Sequence, residues 1–165
     1  MQVNEIMSRN VQTCRPDDSL EHAARLMWDY DCGCLPVCES NGPQRVVGII
    51  TDRDICMGAL FQGKPLRDLL VRDSMARQLV TCQATQPLTR AESTMKSARI
   101  RRLPVVDDEG ALIGMLSLAD FAREAAAQQS QTGQRAITEV EVNDTLACIC
   151  EPVTQPRGSS VFLSA

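Results

Sequence analysis

The sequence predicts an α/β (α+β) protein made of two copies of one β-α-β-β-α unit. Three observations predict it. First, the chain repeats itself: at an offset of 68 residues Met7 falls on Met75, Thr13 on Thr81, Cys14 on Cys82, Leu20 on Leu88, Ala23 on Ala91 and Met27 on Met95, and a long period of this kind marks stacked supersecondary units. Second, Leu35-Pro36-Val37 falls on Leu103-Pro104-Val105. After a two-residue deletion in the following turn, Gly48, Thr51 and Asp54 fall on Gly114, Ser117 and Asp120. Third, inside each copy the apolar pattern switches between strand-like runs and a helical 3.6 period.

The elements follow in order. A short strand, Val11 to Cys14 or Leu79 to Cys82, opens each unit. Asp18 with Glu21 three residues on is a capping signature, and Leu20, Ala23, Ala24 and Met27 then supply one helical face. In the second copy Pro87 suits a first helical turn, with Leu88, Ala91, Met95 and Ala98 as the face. Apolar strands follow at Cys34 to Cys38 and Leu103 to Val106, then turns at Asn41-Gly42 and Asp108-Glu109-Gly110. Third strands run Val46 to Ile50 and Leu112 to Leu116, and second helices begin at Asp52 and Leu118. A unit of about 60 residues barely buries a core alone, so the two are expected to pack together. The expected division is 1–67 for the first repeat, 68–127 for the second, and 128–165 for a tail. In the tail, the stretch from Gln128 reads as a linker by composition, residues 136–142 alternate like an edge strand, and 151–165 reads as mobile.

Composition excludes several functions. With 17 basic and 21 acidic residues the net charge is −4, without the basic footprint of a nucleic-acid binder. One Trp, one Tyr and three Phe are too few for a base-stacking platform. His22 is the single histidine, so two-histidine chemistry is excluded, and it falls on the polar side of the first helix. No apolar run reaches the roughly 20 residues of a membrane span, and the N-terminus has no apolar signal core; a cytoplasmic, non-membrane protein is expected. Eight cysteines are then expected to be mostly thiols.

The closing motifs, Gly48-Ile-Ile-Thr51-Asp52-Arg53-Asp54 and Gly114-Met-Leu-Ser117-Leu-Ala-Asp120, fit the pattern Gly-h-h-Thr/Ser-x-x-Asp twice in register. With the Leu-Pro-Val strands and the starts at Ile6 to Ser8 and Ser74 to Ala76, each unit resembles a CBS domain and the pair a Bateman module, over about residues 3–126. Length and the Cys-containing tail make the chain similar to stand-alone bacterial members of the hypoxic-response-protein type. The resemblance implies a pseudo-twofold pair and often a homodimer. It also implies adenine-nucleotide binding (AMP, ADP, ATP or a relative) in clefts between the repeats as a regulatory ligand, with no cofactor required; no attached enzyme is expected.

Thr51 with Asp54, and Ser117 with Asp120, are read two ways. They are capping boxes, or carboxylates that accept from ribose hydroxyls beside a helix N-terminus that favours phosphate. The resemblance places the adenine slot at Val11, Thr13, Leu35 and Pro36 in one cleft, and at Val80, Thr81, Leu103 and Pro104 in the other. These residues also read as plain core. Arg53, Arg101 and Arg102 are candidate phosphate ligands or ordinary surface charges. Gly33 and Cys34 stand where Arg101 and Arg102 stand, so the clefts are expected to differ. Cys14 and Cys38 end two parallel neighbouring strands, where a disulfide is sterically open and two reduced thiols are the alternative. Cys32, Cys34, Cys148 and Cys150 would suit zinc only if the tail folded back, and no metal site is expected. The leading expectation is a non-enzymatic adenine-nucleotide sensor acting on an unknown protein partner. The other is a redox- or metal-responsive interaction protein working through its cysteines.

Overall fold

The computed structural model describes residues 1–39, 42, 44–128 and 137–152. Two repeats of helices and strands follow one another, with a further helix at the end. The first repeat contains α1 (Val3–Ile6), α2 (Leu20–Asp29), β1 (Cys34–Cys38), β2 (Val46–Thr51) and α3 (Asp52–Gln62). The second contains β3 (Cys82–Gln83), α4 (Leu88–Ala98), β4 (Arg102–Val106), β5 (Leu112–Ser117) and α5 (Leu118–Gln128), and α6 (Glu139–Cys150) follows. No helix among the described residues is long and apolar enough to cross a membrane.

The sheets keep the expected order in both copies. β1 pairs antiparallel with β2. β3 runs parallel to β4, which pairs antiparallel with β5. The opening strand expected at Val11 to Cys14 shrinks to a single parallel bridge, Cys14 to Val37. Cys14 N–H donates to the Pro36 carbonyl and Cys38 N–H to the Cys14 carbonyl. The next rung upstream needs an N–H at residue 36, and proline has none. Pro104 occupies the same place beside the two-residue β3.

Three other expectations are corrected. The N-cap of α2 is Ser19, which accepts from His22 N–H, while Asp18 takes the Arg15 N–H instead. Pro87 is the N-cap of α4 and not a first-turn residue. Where an edge strand is expected at 136–142, residue 136 lies outside the described residues and residues 139–142 are the first turn of α6. Thr138 caps it, and Glu141 returns the bond to Thr138 N–H at 2.8 Å. Two acidic residues in the first turn complement the helix dipole. A helical face of Val142, Thr145 and Ile149 packs on the second repeat, and Thr145 is fully buried. The expected linker falls almost wholly, and the end of the tail from 153 wholly, outside the described residues.

The repeats exchange their leading segments. Val3 and Met7 sit in the second repeat's core with Leu103, Leu116 and Phe121. Val71 and Met75 pack with the first repeat's Leu20, Leu35 and Ile50. The backbone confirms the exchange: Ser8 bridges Met115 and Ala76 bridges Ile49. A third bridge joins Arg45 to Ala111. These are equivalent positions of the two copies, so the pseudo-twofold axis passes between them. Cys38, Val46 and Val106 form a small apolar cluster at that seam. Each repeat thus has its own core, completed by a segment of the other.

The exchange explains the glycine that opens each closing motif. A Cβ on Gly48 would lie 2.8 Å from Met75 Sδ and 2.9 Å from the Ala76 carbonyl oxygen. On Gly114 it would meet Met7 Sδ and the Ser8 oxygen at the same distances. Only glycine lets the other repeat's segment cross there.

Candidate functional site

Each closing motif turns from strand to helix through one hydrogen-bonded pair. Thr51 N–H and its hydroxyl both donate to Asp54 Oδ2, at 2.9 and 2.7 Å, and Asp54 N–H donates back to Thr51 Oγ1 at 3.2 Å. Ser117 and Asp120 repeat the arrangement at 2.7, 2.6 and 3.3 Å. The capping reading therefore holds in both copies. It fixes each carboxylate's rotamer and leaves Oδ1 as the oxygen that differs between them. In the second repeat Oδ1 is paired with Arg123, and Asp120 is only 4% exposed. In the first repeat Asp54 is half-buried and has no ion pair among the described residues.

The helix N-termini are less open to phosphate than expected. In α3, Asp52 N–H donates to the Gly33 carbonyl, Arg53 N–H to Asp52 Oδ1 and Asp54 N–H to Thr51. In α5, Leu118 N–H donates to the Arg101 carbonyl and Asp120 N–H to Ser117. A phosphate at either end would have to displace protein partners, so cationic side chains matter more.

Register brings the other candidates to the same end of each sheet. Cys34 faces Thr51 and Arg102 faces Ser117. The Cys14–Val37 bridge sets Val11 and Thr13 beside the first half of β1, and β3 sets Val80 and Thr81 beside β4 in the same way. These four are half-buried, and Pro36 and Pro104 are buried. Leu35 and Leu103 are fully buried in the two cores, as the plain-core reading has it. Arg53, Arg101 and Arg102 are exposed.

The tertiary structure brings an arginine of the second repeat to the stretch where Gly33 and Cys34 stand in place of Arg101 and Arg102. A Cβ built on Gly33 would lie 3.2 Å from Asp52 Oδ2 and 3.9 Å from Arg102 Nη2. Arg102 of the second repeat therefore reaches the Gly33–Cys34 strand of the first, across the seam. Burial pushes the Cys34 thiol up to about 11, with Arg102 pulling the other way. Nothing local in the sequence signals this reach.

A cavity of about 330 Å³ lies beside Ser117, lined also by Arg101, Arg102, Leu118 and Ala122 and by Val142 and Leu146 of α6. Sequence reasoning missed the contribution of α6. α6 is held over α4 by Thr145, which donates to Glu92, and by an Arg99–Glu151 ion pair at 2.7 Å.

All eight cysteines are free thiols. Burial pushes Cys14 up to about 12, with the Asp18 carboxylate adding to it, and Cys38 and Cys82 up to about 11. Among the described residues no group of three or more His, Cys, Asp or Glu side chains is placed to hold a metal ion.

Fold and site together define a paired-repeat module with a hydrogen-bonded Thr/Ser–Asp motif at the end of each sheet. The CBS-domain sequence profile matches residues 3–58 and 66–127, and the chain belongs to that family as a tandem CBS-pair regulatory module. It is 32% identical over 119 residues to the uncharacterized protein MK0525 of Methanopyrus kandleri. That match covers 72% of this chain but only 60% of MK0525, so the chain spans less than two thirds of that relative. Among solved structures, the CBS domain pair of protein MJ0100 in complex with 5′-methylthioadenosine and S-adenosyl-L-methionine is 27% identical at a TM-score of 0.67, covering 78% of this chain and 98% of that one. Hypoxic Response Protein I, solved with two coordinated zinc ions, is also 27% identical at 0.67, covering 74% and 98%. The expected likeness to the hypoxic-response type is borne out.

Proposed function

We propose that this chain is a non-enzymatic sensor that binds adenosine-containing ligands at the two closing motifs and changes its contacts with a protein partner. The observation that carries the reading is the duplicated Thr/Ser–Asp pair, fixed in one rotamer in both repeats at the end of a sheet. A carboxylate held this way is an acceptor pair waiting for two donors, which the vicinal hydroxyls of ribose supply. The ligands named for the MJ0100 pair are both adenosines, which supports the same chemistry here. In the second repeat the ribose would replace Arg123 on Asp120 Oδ1. In the first, Asp54 needs no such exchange, and Arg102 supplies the cation that the first repeat's own strand lacks. Regulatory ligand and homodimer partner belong to this proposal. Burial holds the Cys14, Cys34, Cys38 and Cys82 thiols far from their thiolate form, so the cysteine-centred reading falls to the exposed Cys56, Cys148 and Cys150.

Calorimetric titration with adenosine, AMP, ATP and S-adenosylmethionine tests it. Losing a hydrogen bond to a charged group costs about 1.5–3 kcal/mol, so Asp54→Ala and Asp120→Ala should each weaken binding at their own cleft about ten- to a hundredfold. A 2′,3′-dideoxy ligand should lose affinity for the parent and little more for the variant. Unchanged affinity in both folded variants would reduce the motifs to caps.

A further inference from the structure

The two carboxylates that close the motifs differ at a single oxygen. In both repeats Oδ2 is taken by its own motif: Asp54 accepts there from the Thr51 N–H and hydroxyl, and Asp120 from the Ser117 N–H and hydroxyl. Oδ1 of Asp120 accepts from Arg123 Nη2, three residues on along α5, where side chains meet on one helix face. The matching position of α3 is Met57, whose thioether carries neither charge nor donor, and Asp54 has no ion pair among the described residues. Asp120 is 4% exposed and Asp54 half-buried. The Arg123 side chain is itself 68% exposed, so its head can leave the carboxylate for water without disturbing the core.

We infer that Arg123 is a built-in competitor at the second cleft. It occupies the oxygen that a ribose needs, and so raises the ligand concentration at which that cleft fills; the first cleft, with Met57, has no such residue. This rests on the ribose-binding reading above. The guanidinium's bond to Asp120 is charge-assisted and stronger than one from a neutral hydroxyl, so a ribose that takes its place substitutes weaker donors for a stronger one. Oδ2 offers no alternative, because Ser117 already gives it two bonds. Water limits the penalty: an exposed guanidinium is rehydrated as it leaves, which holds the effect to about threefold or somewhat more in affinity. The duplication thus yields two anchors of one chemistry set to different thresholds, and the difference lies in Arg123 against Met57.

Calorimetry with adenosine tests it, since a ligand without phosphates gains no ion pair from the guanidinium. The second cleft is read in the chain carrying Asp54→Ala. Adding Arg123→Met, the first repeat's own residue at that position, should tighten adenosine binding about threefold or more. Arg123→Lys, which keeps a cation, should tighten it less. Raising salt from about 0.05 to about 0.5 M should strengthen binding about twofold in the Asp54→Ala chain by screening the pair, and leave the chain with Arg123→Met unmoved. A residue that merely shaped the cleft would not give that salt response. The reverse graft, Met57→Arg in the Asp120→Ala chain, should weaken the first cleft by a similar factor. Binding no tighter after Arg123→Met, a salt response that survives it, or an unchanged first cleft in a folded Met57→Arg chain overturns the inference while the ribose reading stands. Failure of adenosine to bind the chain with both aspartates intact overturns the ribose reading itself, and this one with it.

Discussion

Replacing Gly48 or Gly114 by alanine tests the exchange of segments on which both clefts are built. The added methyl on Gly48 would sit 2.9 Å from the Ala76 carbonyl oxygen and 2.8 Å from Met75 Sδ, about 0.5 Å or more inside ordinary van der Waals contact. The methionine can swing away, but the carbonyl cannot. It is held by Ile49 N–H at 3.0 Å, and Ala76 N–H returns the bond to Ile49 at 2.9 Å. Overpacking of this kind costs about 1–3 kcal/mol, and pushing the segment off would forfeit up to two backbone bonds at about 1 kcal/mol each. Alanine stiffens the unfolded chain and returns about 0.4–1 kcal/mol. The net loss is about 2 kcal/mol per site, which for a chain of this size lowers Tm by about 4–8 °C. Urea unfolding at matched m-value, followed by circular dichroism, reads it directly. Adding Met75→Ala to Gly48→Ala should not restore stability, because the carbonyl stays where it is. If both glycine variants lose less than about 0.5 kcal/mol, or if trimming Met75 rescues the first, the crossing is not what requires glycine.

Two further outcomes follow from the thiols and from the exposed face of α2. The buried thiols of Cys14, Cys34, Cys38 and Cys82 have folded values raised to about 11–12 from an ordinary 9.0. Their contribution is intact below about pH 9 and is lost as pH rises toward 11–12, since the unfolded chain gives up those protons first; each should add about 1.4 kcal/mol of loss per pH unit in that window. Urea midpoints from pH 8 to 10.5 check the sign, and a flat profile refutes it; at pH 7.5 these thiols should react with a thiol reagent only as the chain unfolds. Trp28, the single tryptophan, is 87% exposed on α2. Its counterpart Lys96 lies on the face of α4 that α6 covers, so a homodimer is expected to form over Trp28: Trp28→Ser should shift light scattering from dimer toward monomer at micromolar concentration, and a monomeric parent would refute this.

What the sequence made legible was local or periodic. The duplication, the order of strands and helices, and the starts of α3 and α5 at Asp52 and Leu118 all follow from matches between residues a fixed distance apart. The Thr51–Asp54 and Ser117–Asp120 pairs were legible because their chemistry lies within one helical turn. The misreadings have two physical sources. Around α6, the short run Ile137-Thr138-Glu139-Val140-Glu141-Val142 alternates like a strand, and only the later Thr145 and Ile149 restore the helical period. Elsewhere the deciding contact is tertiary: Arg102 reaching Gly33 and Met7 lying on Gly114 leave no trace in the spacing of neighbouring residues, whereas the Asp120–Arg123 pair, three residues apart in one helix, was open to the same local reading and was missed. The proline that cuts short the opening strand was visible, but only its pairing partner shows which hydrogen bond it removes.

The exchanged leading segments also set an order of events during synthesis. Val3 and Met7 leave the ribosome long before the strand they pack against, β5 at Leu112–Ser117, which is among the last parts of the repeats to be made. The first repeat's core, in turn, waits for Val71 and Met75. Neither repeat can close on its own stretch of chain, so folding is expected to complete as one step once residues near 117 have emerged, rather than repeat by repeat. A chain cut between the repeats, near Lys64, would yield two fragments that each carry the other's missing piece. Mixed together they should assemble, and apart neither should fold.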